Sequence, residues 1–185
     1  MTSETRSGMP LAGAALGLIA IVFGFGLGGA FGAAEDAIKA RLQASAEAAQ
    51  GLYLAKAAAE ADPEAAALAE SKKLLEKSWV YLQRAHLHAG ALGTVTLAVS
   101  LLLGRLTAPW RLKQLASVCL GVGAVLYPLF WMLAAFRAPG LGSTGAAKDS
   151  LSWLAIPGSG LCLIGAGLAL LLVLRELRGR GAGAA

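Results

Sequence analysis

Four long apolar runs, separated by charged or Gly- and Pro-bearing segments, set the pattern of this chain. They cover residues 10–33, 87–104, 114–136 and 151–174, and none holds an Asp, Glu, Lys or Arg. A helix needs about 20 apolar residues to cross the hydrocarbon core of a bilayer. Each run is close to that length, so the pattern predicts four transmembrane helices. Between the first two lies a polar stretch, 35–84, dominated by Ala, Glu, Lys, Leu and Gln, all strong helix formers. Its one break is Asp62-Pro63-Glu64, which reads as a helix start with Asp at the N-cap, Pro at N1 and an acid in the first turn. Two helices, 35–61 and 63–84, are therefore expected, antiparallel and continuous with the first two spans. The expected fold is all-α: a four-transmembrane-helix bundle whose helices 1 and 2 extend into an extramembrane helical hairpin, about residues 35–85.

Each hairpin helix carries one apolar stripe. On the first it is Ile38, Leu42, Ala46, Ala49, Leu52 and Tyr53; on the second Leu68, Leu75, Trp79 and Leu82, with Ser71 filling the gap. Stripes at this spacing need burial, and the simplest partner is the other helix. Because these faces are rich in alanine, a lone pair would bury little area at about 25 cal/mol per Å². A further partner is expected, either a second copy or another membrane protein. A helix lying flat on the bilayer is disfavoured by the same alanine-rich face.

Charge sets the orientation. The segment after span two carries Arg105, Arg111 and Lys113 with no acid, and the C-terminal tail carries Arg175, Arg178 and Arg180 against Glu176. The stretch 35–84 is balanced, with seven basic and eight acidic residues. The positive-inside rule then puts both termini in the cytoplasm and the hairpin outside, in the inner membrane of a bacterium. Trp110 and Trp153 stand at span ends as interfacial anchors. The net charge of +5 sits beside the spans, which argues against nucleic acid as a partner. Arg6 and Gly32-Ala33-Ala34 resemble parts of a signal peptide, but the apolar run is about 24 residues against ~7–15 for a signal h-region. A retained helix is expected.

Small residues four apart mark packing faces: Gly24, Gly28 and Gly32 on span one, Ala89 and Gly93 on span two, Ser117 and Gly121 on span three, and Gly158, Cys162 and Ala166 on span four. Pro128 and Pro157 fall within spans and are expected to mark kinks. The two cysteines, Cys119 and Cys162, lie inside spans and read as small buried thiols, with no metal-ligand spacing.

The chemistry-bearing candidates are few. Both histidines, His86 and His88, sit where the charged helix enters the second apolar run. At ~100° per residue an i, i+2 pair points to nearly opposite sides of a helix, so the two cannot share one metal ion within one chain. The His86-Leu87-His88 element, followed by small residues and Gly, resembles the His-x-His element of the haem–copper oxidase catalytic-subunit superfamily and of small four-helix membrane proteins related to it. That resemblance implies histidines ligating haem iron, one on each face. With only two histidines in the chain, copper and oxygen chemistry are not implied, and at most one haem b is. His86 or His88 would then be one axial ligand and Met132 the other, or the same histidine of a second copy. Tyr127 and Trp131 would line the pocket, and Arg84 or Arg137 would meet the propionates. The plainer readings are histidines bonded to headgroups, water or a neighbouring helix, with Met132 filling the core. A proton or quinone role is the third. No catalytic motif is present, and no span carries the charge that marks ion pathways. The sequence therefore points first to a non-enzymatic accessory or assembly component acting through its hairpin, and second to a small haem-binding electron-transfer protein.

Overall fold

The computed structural model describes residues 8–182, with side chains to residue 180. Six helices and no strand occur among the described residues: α1 (Leu11–Ala48), α2 (Gln50–Ala57), α3 (Pro63–Gly104), α4 (Trp110–Leu141), α5 (Thr144–Asp149) and α6 (Ser152–Ala182). Four of them, α1, α3, α4 and α6, are long and apolar enough to cross a membrane. The chain is an all-α, multi-pass helical bundle.

The Asp62 start forms as its residues dictate. The Asp62 carboxylate accepts from the Ala65 N–H at 3.1 Å, and Pro63 opens α3 where a missing N–H costs nothing. The expected helix over 35–61 does not run through. α1 bends at Ala34 (φ −139°, ψ 26°) and ends at Ala48, and a separate α2 follows from Gln50. At the break, the Ala49 N–H bonds to the Ala46 and Glu47 carbonyls. The turned α2 brings the Tyr53 hydroxyl to the Pro139 carbonyl at 2.7 Å and the Lys56 ammonium to the Gly142 carbonyl at 2.5 Å. A tertiary contact thus overrides good local propensity. At the far end, helical backbone continues through Pro128 and Pro139 in α4 and Pro157 in α6.

Burial shifts the expected stripes. Leu42, Ala46, Tyr53 and Leu82 are buried as expected and Leu75 and Trp79 are partly buried against the core, but Leu52 and Leu68 are exposed, and α3 also buries Ala67, Leu74, Ser78, Tyr81 and Ala85. The reason is a third wall that the sequence pattern does not reveal. The last turns of α4 supply Phe130, Ala134, Ala135 and Ala138, and α5 supplies Ala147, so α3 packs on two sides.

Helix α4 is central, packing on α1, α3 and α6, whereas α6 meets α3 only sparsely and α1 not at all among the described residues. Half of the apolar window of α4 is buried (50%), against 22% for α6. The contacts are made by small residues, as close packing in lipid requires. A methyl on Gly93 would fall 2.6 Å from the Gly17 carbonyl oxygen, and one on Gly24 would fall 3.0 Å from the Gly90 nitrogen. On the α4–α6 seam, a methyl on Gly123 would meet the Cys162 sulfur at 2.5 Å. Strict four-residue spacing drifts off the 3.6-residue turn. Accordingly Gly32 touches nothing, and the α6 contact passes from Cys162 to Gly165, leaving Ala166 exposed.

Two polar ties hold the end that carries Gly8. Ser100 and Ser117 hydroxyls bond across α3 and α4 at 2.6 Å. Lys113, counted above as a loop charge, is folded under instead: it is 1% exposed, and its ammonium donates to the Leu106 carbonyl at 3.0 Å.

Candidate functional site

The turn of α3 around residues 84–90 lies between α1 and α4, and its two imidazoles part as the helical rotation requires. His86 faces α1. Its Nδ1 donates to the Gly24 carbonyl at 2.7 Å, and its ring meets the edge of Phe31 at 5.9 Å. The missing side chain at Gly28 makes the seat, since a methyl there would fall 2.8 Å from His86 Cε1. His88 faces α4. Its Nδ1 donates to the Arg84 carbonyl one turn back at 2.7 Å, with Tyr127 at 5.1 Å edge-on and Trp131 stacked at 6.4 Å. A carbonyl oxygen only accepts, so each imidazole donates from Nδ1.

Arg84 sits on the same face as His88. Its guanidinium carbon lies 5.0 Å from the Trp131 ring centroid and 5.5 Å from that of Tyr81, within cation–π reach. Tyr81 and Phe130 each contact the Trp131 ring. The Trp131 indole N–H is buried and meets no acceptor. The cluster is thus basic and aromatic, at the edge of the apolar run.

The remaining candidates are elsewhere. Met132 packs with Leu42, Tyr81, Leu82 and Phe130 in the core, while the rings against His88 are those of Tyr127 and Trp131. Arg137 donates to the Ser150 hydroxyl at 3.1 Å. Cys119 and Cys162 are free thiols. Among the described residues no group of three or more His, Cys, Asp or Glu is placed to hold a metal ion. His86 is held against the α1 backbone through its bond to the Gly24 carbonyl, His88 faces the α4 rings, and Met132 packs, partly buried, against the core cluster.

No protein-family model, curated protein or solved structure matches this chain.

Sequence reasoning placed Arg84, Tyr127 and Trp131 near the histidines but missed how they pair. The signal was present: 84 and 88 on one helix, and 127 and 131 on its antiparallel neighbour, are both i, i+4 pairs that share a face. The Gly24 carbonyl carried no signal, because a backbone acceptor becomes available to a side chain only through the way helices cross.

Proposed function

We propose that this protein is a non-enzymatic multi-pass protein of a bacterial inner membrane, an accessory or assembly component whose outward helical hairpin, residues 35–85, meets a polypeptide partner. The observation that carries this reading is a groove of about 460 Å³ between α1 and α3, lined by Lys39, Leu42, Gln43, Leu75, Trp79 and Val80 among others. The surrounding stretch is too charged to lie in lipid, so a partner is the natural cover for its apolar floor. Val80 and Leu68 stand exposed on the same helix. Two polar pairs within the spans support a structural role: His86 with the Gly24 carbonyl and Ser100 with Ser117. The orientation rests on Arg105, Arg111, Arg175, Arg178 and Arg180 gathering at the opposite end, which by the positive-inside rule is cytoplasmic, with both termini. The partner is a second copy or another membrane protein.

Photo-crosslinking from position 80 in native membranes tests the reading. A defined adduct, of two copies or with another polypeptide, supports it; monomer alone from positions 68 and 80 removes it. A membrane-impermeant thiol reagent should label Ser143→Cys from outside, and labelling only after lysis would reverse the orientation. The absorbance spectrum of the same purified protein tests the haem alternative. A Soret band abolished by His88→Ala would replace the accessory reading with an electron-transfer one.

A further inference from the structure

The α4-facing side of the α3 turn carries a positive site around Arg84, next to the docking groove, with which it shares Glu76 and Val80 at its border. Arg84 is exposed, and its guanidinium makes no hydrogen bond or ion pair among the described residues, where the ion pairs are Lys39–Glu35, Lys73–Glu70 and Arg180–Glu176. It is held instead by the faces of Trp131 and Tyr81, which fixes the plane of the fork and leaves its N–H donors unmet. A guanidinium in that state is suited to two oxygens of one phosphate. Arg84 also borders a cavity of about 340 Å³ together with Glu76, Lys77, Val80, Tyr81 and Thr144. Two cations stand there against one carboxylate, so the cavity is net positive and selects a net-negative group over a zwitterion.

Depth decides the class of ligand. Arg84 is the last charged residue before the apolar run that begins at Leu87, which puts it at headgroup level. One turn further in, Leu87 is 64% exposed, an apolar surface along which an acyl chain can lie. The aromatic rings are those expected at a membrane–water interface. Basic pockets beside transmembrane helices hold anionic headgroups by this chemistry.

The geometry points to a binding site for the phosphate of an anionic phospholipid, its headgroup in the Arg84–Lys77 cavity and an acyl chain along Leu87. Arg84 supplies the fork, Lys77 the second positive charge, and Trp131 and Tyr81 the platform that holds the fork in place.

The test uses the full-length protein in neutral detergent, with bound lipid read by native mass spectrometry. The probes are phosphatidylglycerol, phosphatidylethanolamine and soluble glycerol phosphate. Phosphatidylglycerol should be retained several-fold more than phosphatidylethanolamine, and Arg84→Gln should weaken it on the order of fivefold. Arg137→Gln, whose guanidinium is already bonded to Ser150, should leave binding unchanged. Equal retention by Arg84→Gln and the parent protein overturns the site. Equal retention of the two lipids overturns its selectivity for negative charge. Glycerol phosphate bound as tightly as the lipid would assign the cavity to a free phosphate ester and overturn the lipid reading. Should Arg84→Gln fail to fold, exposed Lys77→Gln carries the same comparison, with a smaller loss expected; no loss there would equally overturn the site.

Discussion

Between α1 and α3 the closest contacts are made at glycine backbone, with Phe31 bringing an aromatic ring to His86 and Trp79, whereas between α3 and α4 at the same depth a cluster of rings makes the contact. On the first side Gly17 faces Gly93, Gly24 faces Ala89 and Gly90, and His86 rests on Gly28 while bonding to the Gly24 carbonyl. On the second, His88, Arg84 and Tyr81 meet Tyr127, Phe130 and Trp131. One residue type, two positions apart, therefore does two jobs. His86 fills a slot that glycine leaves and pins one helix to another. His88 joins a cluster whose polar atoms are left with unmet capacity. Lipid offers no hydrophobic driving force between helices, so the glycine seam has to hold by fit. The ring seam is bulkier and borders a cavity, which leaves room for function.

The sharpest way to break this contrast is to add a side chain to the tight seam. Gly93→Leu would place its Cβ 2.6 Å from the Gly17 carbonyl oxygen and 2.9 Å from the Ile21 nitrogen, atoms that cannot move without parting the helices. A loss of about 3 kcal/mol or more is expected, read as unfolding in a detergent–denaturant titration. Gly90→Ala is the control on the same helix. A methyl there meets nothing within 4 Å, and the helix should gain up to about 1 kcal/mol. Equal effects of the two would show that the seam is not packed as described. The histidines come next. His86→Ala removes an interhelical hydrogen bond and its packing, about 1–2 kcal/mol. His88→Ala removes a bond within its own helix and ring contacts with Tyr127 and Trp131 but no interhelical hydrogen bond, so a smaller loss is expected. A reversed order would undo the division of labour.

The extent to which this was readable beforehand follows the same divide. Run lengths announced the four crossing helices, because lipid forces long uninterrupted apolar blocks. Asp62-Pro63 announced its helix start for local reasons. The Ala49 break was hidden, since Ala-rich flanks favour helix on both sides and the cause lies 86 residues away at Pro139. On α3 the expected stripe is buried at Leu82 and in part at Leu75 and Trp79, but Leu68 is exposed and Ala67 and Leu74 are buried, because α4 and α5 add a second buried side that no single-face pattern encodes. Opposite directions for His86 and His88 followed from helical geometry alone. Which one would be locked and which left open depended on which neighbouring helix each met.

A smaller effect is expected where α2 is tied to the end of α4. Tyr53→Phe deletes the hydroxyl bond to the Pro139 carbonyl. That carbonyl keeps the Gly142 N–H at 3.2 Å, so no acceptor is orphaned and the cost should be about 1 kcal/mol. Burial, and secondarily the Glu70 charge, raise the Tyr53 phenol above its ordinary range. The folded form thus prefers the neutral phenol. Its contribution is complete below the free tyrosine pKa and fades as pH rises through the folded value. The protection factors over residues 50–57, that is exchange corrected for its own base catalysis, should fall in alkali in the parent protein, and Tyr53→Phe should remove that fall.

The opposite end of the bundle should loosen at the opposite end of the pH scale, and by less. α6 packs on α4 alone along most of its length, so its last turns depend on one tie to the α3–α4 connection. Glu176 accepts from the Thr107 N–H at 3.0 Å and from the Thr107 hydroxyl at 2.6 Å. These bonds, the hydroxyl first, hold its carboxyl below the usual carboxylate range, with Arg180 adding to the effect. For a lowered acid the sign is the reverse of that for Tyr53. The tie is in full force above the free carboxylate pKa and is lost as pH falls through the folded value. Thr107→Ala keeps the backbone donor and removes the hydroxyl, so the acid transition should move up in pH rather than vanish. A spin label near the end of α6 reads this directly: its mobility should rise on acidification, at a higher pH in Thr107→Ala. A transition that ignored this substitution would mean that the end of α6 is held by the packing of its own Ala169 and Leu172 in the cluster with Leu103, Leu106 and Ala108, and the comparison between a well-buried α4 and a side-mounted α6 would lose its functional edge.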